Sequence, residues 1–258
     1  MKEQLNLPDL SNRSAGLLQR DKSAFNACYG DGDIPTIADK GIKLIPRTRW
    51  VNKIGVGEHV WWMYDQLDGM CASNGAAQCM MVLRNQARLP KIALSPEELY
   101  RHVGRWGTGS TLQENIRMLM REGIATRATM KRMWPYTRQD IPSDLDEERK
   151  QFILLEAFDL GGSFEALVTA LHKRMVCYIG LDWPRLGPHA VCCTDWVDGH
   201  IEGPNSWMKK EGPRDGKTGW YSLSEKTYKR ARPTVFGSYA FRVITEADND
   251  PQPPTPGV

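Results

Sequence analysis

Three residues, Cys71, His189 and Asn205, have types and settings that could together perform covalent chemistry. A thiol reacts as its thiolate, and a helix N-terminus or a nearby imidazolium favours that anion. Cys71 follows the turn Asp68-Gly69-Met70 and opens the run CASNGAAQCMMVLRNQAR. The run holds no proline and passes from small to larger apolar residues, which predicts a helix over 71–88 with the thiol in its first turn. A single cysteine in such a place is more often a small buried residue. The chemical reading therefore needs partners: a base within hydrogen-bond reach, and a third group that fixes the base's ring. His189 begins the apolar stretch His189-Ala190-Val191, and Asn205 follows within Gly203-Pro204-Asn205-Ser206-Trp207. His59, His102, His172 and His200 have no comparable setting, and His172, beside Lys173 and Arg174, reads as a surface residue.

These residues need elements to carry them. Ser95-Pro96-Glu97-Glu98 is a capping box with proline at the first helical position, so a short helix should follow. Ser110 and Gln113 form a second such pattern, after which Leu112, Ile116, Leu119 and Met120 share one face until Gly123. Gly161-Gly162-Ser163 opens another amphipathic run through Phe164, Leu167, Val168 and Leu171. From residue 175 the pattern changes to short β-branched and aromatic runs at 175–183, 189–197, 200–207, 219–223 and 238–245, separated by Gly and Pro. Helices first and strands later predict an α+β fold: a helical N-terminal lobe, an antiparallel β-rich C-terminal lobe, and a cleft between them.

The chain has 258 residues, enough for a sizeable core, with 41% apolar and 25% charged residues. Its 34 basic and 31 acidic residues leave a net charge of only +3, which gives no reason to expect nucleic acid or an acidic membrane as partner. No apolar run is long enough for a transmembrane helix, and the first residues show no signal-peptide pattern. The expected location is cytoplasmic or virion-associated. The six cysteines show no disulfide framework and read as reduced thiols. Cys192-Cys193 lacks zinc spacing, and Asp31 and Asp33 lack the acidic residue that would close a calcium loop, so no metal or other cofactor is expected. Residues 1–44 read as an N-terminal extension, 45–246 as the main domain, and 247–258 as a flexible Pro-rich tail.

Several segments, in order, resemble the papain-like cysteine peptidases. DQLDGMCASNGA is similar to the segment around the family's nucleophile, PHAVCCTDW to its histidine strand, and GPNSWMKKEGPRDGKTGWYSLS to its asparagine segment. LSPEELY, and GTGSTLQENIRMLMREGI followed by WPY, resemble the intervening helix and glycine-loop segments. The resemblance implies roles by position. Cys71 would attack a scissile carbonyl, His189 would pair with it as an imidazolium and protonate the leaving amine, and Asn205 would hold the ring. Trp207 would shield that contact from water, and Gln66 would stabilise the oxyanion with the Cys71 N–H. Gly107, Thr108 and Gly109 would let a substrate backbone lie close. The chain departs from the pattern in places: Gln66 stands five residues before Cys71 where six is usual, Ala72 replaces an aromatic residue, and Pro188 and Met208 are unusual. The loop cysteines that make the family's disulfides are missing, and the first stretch does not resemble the long helical pro-region of secreted members. If residues 1–44 cover the cleft, their deletion should raise activity.

The reading implied is a cysteine-type peptidase working through a Cys-His-Asn acyl-enzyme on peptide or protein substrates. One alternative is the same fold with weak or lost turnover, serving as a structural or binding module in an assembly such as a viral particle. Another is transamidation or cell-wall amide cleavage by the same three residues.

Overall fold

The computed structural model describes Leu17 and residues 34–66, 69–105, 108–130, 142–183, 187–207, 211–214 and 218–242. The helices are α1 (Cys71–Gln86), α2 (Pro96–Val103), α3 (Leu112–Arg121), α4 (Leu145–Lys150), α5 (Phe164–His172), α6 (Glu225–Arg230) and α7 (Pro233–Phe236). The strands are β1 (Lys53–Gly55), β2 (Trp62–Met63), β3 (Glu156–Asp159), β4 (Val176–Trp183), β5 (Gly187–Cys193), β6 (Asp195–Val197), β7 (His200–Pro204), β8 (Gly212–Pro213), β9 (Trp220–Ser224) and β10 (Ser238–Arg242). They form sheets in the orders β3-β10-β4-β5 and β1-β6-β7-β9, with a small β2-β8 ribbon. The ladders between these strands are antiparallel, as short strands joined by tight turns allow. The fold is α+β. The expected tail, 247–258, lies outside the described residues.

Why the chain forms these helices is visible at their ends. The Ser95 hydroxyl accepts from the Glu98 N–H, with Pro96 at the first position of α2. The Glu98 carboxylate does not complete the expected box; it turns inward to Arg149, His102 and the Ala125 N–H. The second box is shifted by one residue. Thr111 and Glu114, not Ser110 and Gln113, cap α3 reciprocally. A carboxylate accepts the orphan N–H more strongly than an amide does, and Ser110 is engaged elsewhere. Leu112, Ile116 and Leu119 are buried, whereas Met120 is exposed. Met120 falls at the rim of the apolar stripe in the last turn.

Strands β4 and β5 separate two cores, because successive side chains point to opposite faces. Tyr178, Ala190 and Cys192 join the core built around α1, α2 and α3. Cys177, Ile179, Val191 and Cys193 join the second, with α5, Ile201, Tyr221 and Leu223. The adjacent Cys192 and Cys193 therefore face different interiors, which removes a shared metal site. Cys71, Cys79, Cys177, Cys192 and Cys193 are free thiols; Cys28, Asp31 and Asp33 lie outside the described residues.

His172 corrects an expectation. It is buried, and burial lowers its pKa from the ordinary histidine value. Lys173 and Arg174 lie past the end of α5, where the chain turns with Arg174 at φ +56°, so their charge does not report the direction of His172. Within the stretch read as an extension, Ile37 joins the second core, Ile34 packs against the first, and the Asp159 N–H donates to the Pro35 carbonyl at 2.8 Å. Arg127 pairs with Glu97 of α2 and, through Nε at 2.9 Å and Nη2 at 2.6 Å, with Glu211 beside β8.

Candidate active site

Cys71 is the first residue of α1, where backbone N–H groups have no partner within the helix. The helix lies along β4 and β5 in a fixed register. Cys79 Sγ is 3.6 Å from the Cys177 carbonyl, and Cys177 faces Cys193 across the ladder. One helical turn earlier, a methyl group on Gly75 would stand 3.5 Å from the Val191 backbone and 2.9 Å from the Tyr178 ring. Four helical residues advance about 6 Å and two strand residues about 6.6 Å. His189 lies on the same strand, two residues before Val191, and that strand is the outer one of its sheet. Tyr178 fixes this approach by donating its hydroxyl to the Ala72 carbonyl at 2.7 Å.

The imidazole of His189 is held on two sides. Its Nε2 lies 2.9 Å from Asn205 Oδ1. Trp207 stacks on the ring with centroids 3.6 Å apart and planes 20° apart, and Trp183 stands 5.9 Å away. The Trp207 N–H also donates to Asn205 Oδ1, at 3.3 Å, which identifies that atom as the oxygen. An oxygen acceptor requires Nε2 to carry the proton. In the neutral ring Nδ1 is then the basic nitrogen, and it makes no hydrogen bond among the described residues. His189 is 0% exposed, and burial pushes its imidazole down to about 3, against the opposing effect of Asn205. The closed site therefore holds a neutral ring, and an imidazolium would need an anion beside it to offset desolvation.

Gln66 reaches the same region from the other side of the helix tip. Its N–H donates to the Ser206 carbonyl at 2.7 Å, and its Oε1 accepts from the Ser206 hydroxyl at 2.7 Å. That contact turns the amide nitrogen away from Ser206. The shortened spacing to Cys71 is bridged through Gly69, which adopts φ +69°, a conformation that favours glycine. A methyl on Gly69 would lie 3.9 Å from the Gly109 nitrogen, so Gly109 borders the turn before Cys71.

The glycine stretch itself differs from expectation. Gly107 lies outside the described residues, and Thr108 is exposed. Gly109 spends its backbone groups internally: its N–H donates to the Arg105 carbonyl at 3.0 Å, and its carbonyl accepts from the Arg105 N–H at 2.8 Å. The next residue, Ser110, forms a parallel bridge with Leu17. Cys71 is 0% exposed. Sequence reasoning passed over Ser206, although it stands between Asn205 and Trp207. It also passed over Tyr178 and Leu17, whose roles depend on contacts more than 90 residues away.

Cys79, Cys177, Cys192 and Cys193 are buried, and burial raises the pKa of each above the ordinary thiol value. Such thiols are poor nucleophiles. Among the described residues no cluster of His, Cys, Asp and Glu could hold a metal ion, and no helix is long and apolar enough to cross a membrane.

No protein-family model matches the sequence, and no curated protein does. Solved structures do match. The chain is similar to xylellain, a cysteine protease from Xylella fastidiosa, with a TM-score of 0.63 and 15% identity over 89% of this chain and 100% of that one. It is similar to the proform of Amb a 11, a ragweed pollen cysteine protease, with a TM-score of 0.66 and 16% identity over 96% of this chain and 73% of that one. It is similar to procathepsin B from Trypanosoma congolense, with a TM-score of 0.61 and 13% identity over 90% and 87% of the two chains. The structural neighbours are papain-like cysteine proteases, and this chain has their fold.

Proposed function

We propose that the protein is a cysteine peptidase acting on peptide or protein substrates. The observation that carries this reading is the state of His189. Asn205 accepts from Nε2 and Trp207 covers the ring, leaving Nδ1 as the basic nitrogen. In the proposed reaction His189 Nδ1 takes the Cys71 proton, and the sulfur attacks the scissile carbonyl. The carbonyl oxygen becomes an oxyanion, stabilised by the Cys71 N–H and the Gln66 amide. When the tetrahedral adduct collapses, the C–N bond breaks and His189 gives its proton to the departing amine. Water, deprotonated by the same nitrogen, then attacks the thioester and releases the acid with the free thiol. No step calls for a cofactor.

The complete burial of Cys71 and His189 favours one second reading, a papain-like module with weak or lost turnover in an assembly. One experiment separates the two. The full chain is treated with a peptidyl epoxide, modified sites are read by mass spectrometry, and cleavage is followed on a peptide library. The peptidase reading expects a single adduct on Cys71, its loss in His189→Ala, and cleaved peptides that disappear in Cys71→Ala. Scattered labelling with no cleavage would leave the non-catalytic reading.

A further inference from the structure

Asn205 and Gln66 rest on strands of unequal strength. Asn205 continues β7, whose five-residue ladder with β9 is extended by the Asn205 N–H donating to the Gly219 carbonyl at 2.7 Å. Gln66 follows β2, a strand of two residues that pairs Trp62 with Pro213 and Met63 with Gly212 of β8. A ribbon that short has little stability of its own. Its end far from Gln66 is held by α1, where Gln78 Nε2 donates to the Trp62 carbonyl at 2.9 Å. Its near end adjoins Glu211, and there Arg127 closes a clasp. Arg127 gives the Glu211 carboxylate two bonds, from Nε at 2.9 Å and from Nη2 at 2.6 Å, and gives a third N–H group to Glu97 of α2. The side chains of Arg127, Glu211 and Glu97 are 12%, 10% and 2% exposed. Shielded two-pronged pairs of this kind fix orientation as well as distance. Arg127 is itself anchored, since its main-chain N–H donates to the Ala93 carbonyl at 2.7 Å. Its guanidinium also stands 5.7 Å from the centre of the Tyr64 ring, two residues before Gln66, and the Tyr64 hydroxyl donates to the Leu94 carbonyl at 2.7 Å. One guanidinium thus meets both strands of the ribbon, β8 through Glu211 and the extension of β2 through Tyr64.

We propose that Arg127 and Glu211 are positioning residues for Gln66: their clasp fixes the β2–β8 ribbon and so sets where the Gln66 amide meets the oxyanion of the peptidase reading, on which this proposal rests. Ser206 turns the amide, and the ribbon sets where the backbone that carries it lies. The clasp acts through the ribbon and not on the reacting atoms. Glu97 supplies the contrast, because it pairs with the same guanidinium but belongs to α2. Losing either carboxylate disturbs a buried ion pair and lowers stability. Only the loss of Glu211 loosens the ribbon.

The test compares the full chain with Glu211→Ala and Glu97→Gln, using two probes of Cys71. A peptidyl aldehyde forms an adduct whose oxygen sits where the Gln66 amide would donate, and alkylation by iodoacetamide makes no such oxygen. Aldehyde affinity is read as protection of Cys71 from iodoacetamide, by mass spectrometry. Glu211→Ala should weaken aldehyde binding and lower kcat by about tenfold or more, up to the 10²–10³ expected for complete loss of the donor, with KM and the iodoacetamide rate at Cys71 unchanged. Glu97→Gln should lower Tm and leave aldehyde affinity and kcat as they were. In a Gln66→Ala background Glu211→Ala should cost nothing further. Unchanged aldehyde affinity in Glu211→Ala, equal losses in the two carboxylate variants, or a loss additive with Gln66→Ala would overturn the proposal. If Glu211→Ala does not fold, Glu211→Gln, which keeps one acceptor for Arg127, decides by the same readout: a selective loss of aldehyde affinity supports the proposal and none refutes it. Weaker aldehyde binding in Glu211→Ala without peptide cleavage by either protein would remove the peptidase reading and leave the positioning. Peptide cleavage with unchanged aldehyde affinity would do the reverse.

Discussion

The two sides of the candidate site are supported by different means. His189 is positioned by side chains, with Asn205 on one edge and Trp207 over the face. Cys71 is positioned by main chain, as the first residue of a sixteen-residue helix whose Ala72 carbonyl is pinned by Tyr178. The difference separates orientation from placement. On the base side a substitution changes which way a ring points and which nitrogen carries a proton. On the Cys71 side it moves a whole helix, so errors there emerge as lost stability.

Five measurements would break or sharpen this contrast. His189→Ala should lower kcat/KM by about 10²–10⁴, with folding checked by thermal melting; a loss under about tenfold would place the base elsewhere. Gln66→Ala should lower kcat by about 10²–10³ with little change in KM, and a KM effect alone would make the residue a binder. The third is pH. The imidazole of His189 is lowered to about 3, while an unfolded chain titrates near the ordinary value of 6.5. Above about 6.5 both states are neutral and its contribution is complete. Below that the unfolded state binds a proton the folded state refuses, so stability should fall by about 1.4 kcal/mol per pH unit toward pH 3. Denaturant titrations of the protein and of His189→Gln should differ by that slope, since His59 and His172 are common to both; parallel curves would show that the ring is not held neutral.

Ser206→Ala should be milder, with about a tenfold loss in kcat, because one hydrogen bond orients Gln66 while its backbone contact remains. Combined with Gln66→Ala it should cost nothing more, and additive losses would show that Ser206 acts independently. The smallest effect belongs to the Cys71 side. Tyr178→Phe removes the bond to Ala72 and should destabilise by about 1 kcal/mol, read as a shift in Tm. An unchanged Tm would mean that packing alone holds the helix.

Much of the framework was legible because it depends on local periodicity. The helix from Cys71, the capped start at Ser95 and the strands from residue 176 follow from residue spacing. So did the pairing of His189 with Asn205, through the resemblance of the segments that carry them. What failed had local competitors or distant causes. Two overlapping patterns, Ser-x-x-Gln and Thr-x-x-Glu, could each cap α3, and charge favoured the second. Strand β3 has only four residues, too few to show a period, and was not expected. The burial of His172 and the seat of Leu17 are tertiary, set by neighbours that no short window contains.

The two faces of β5 have a consequence for how the protein can vary. This strand sends Cys192 to one interior and Cys193 to the other, and it carries His189 at its far end. Sliding it by a single position would exchange the two interiors and swing the imidazole away from its carboxamide. Insertions within β5 should then be lethal to the whole architecture, while equal-length replacements remain negotiable. Correct threading of β5 is therefore a single all-or-none condition on which both interiors and the setting of His189 depend together.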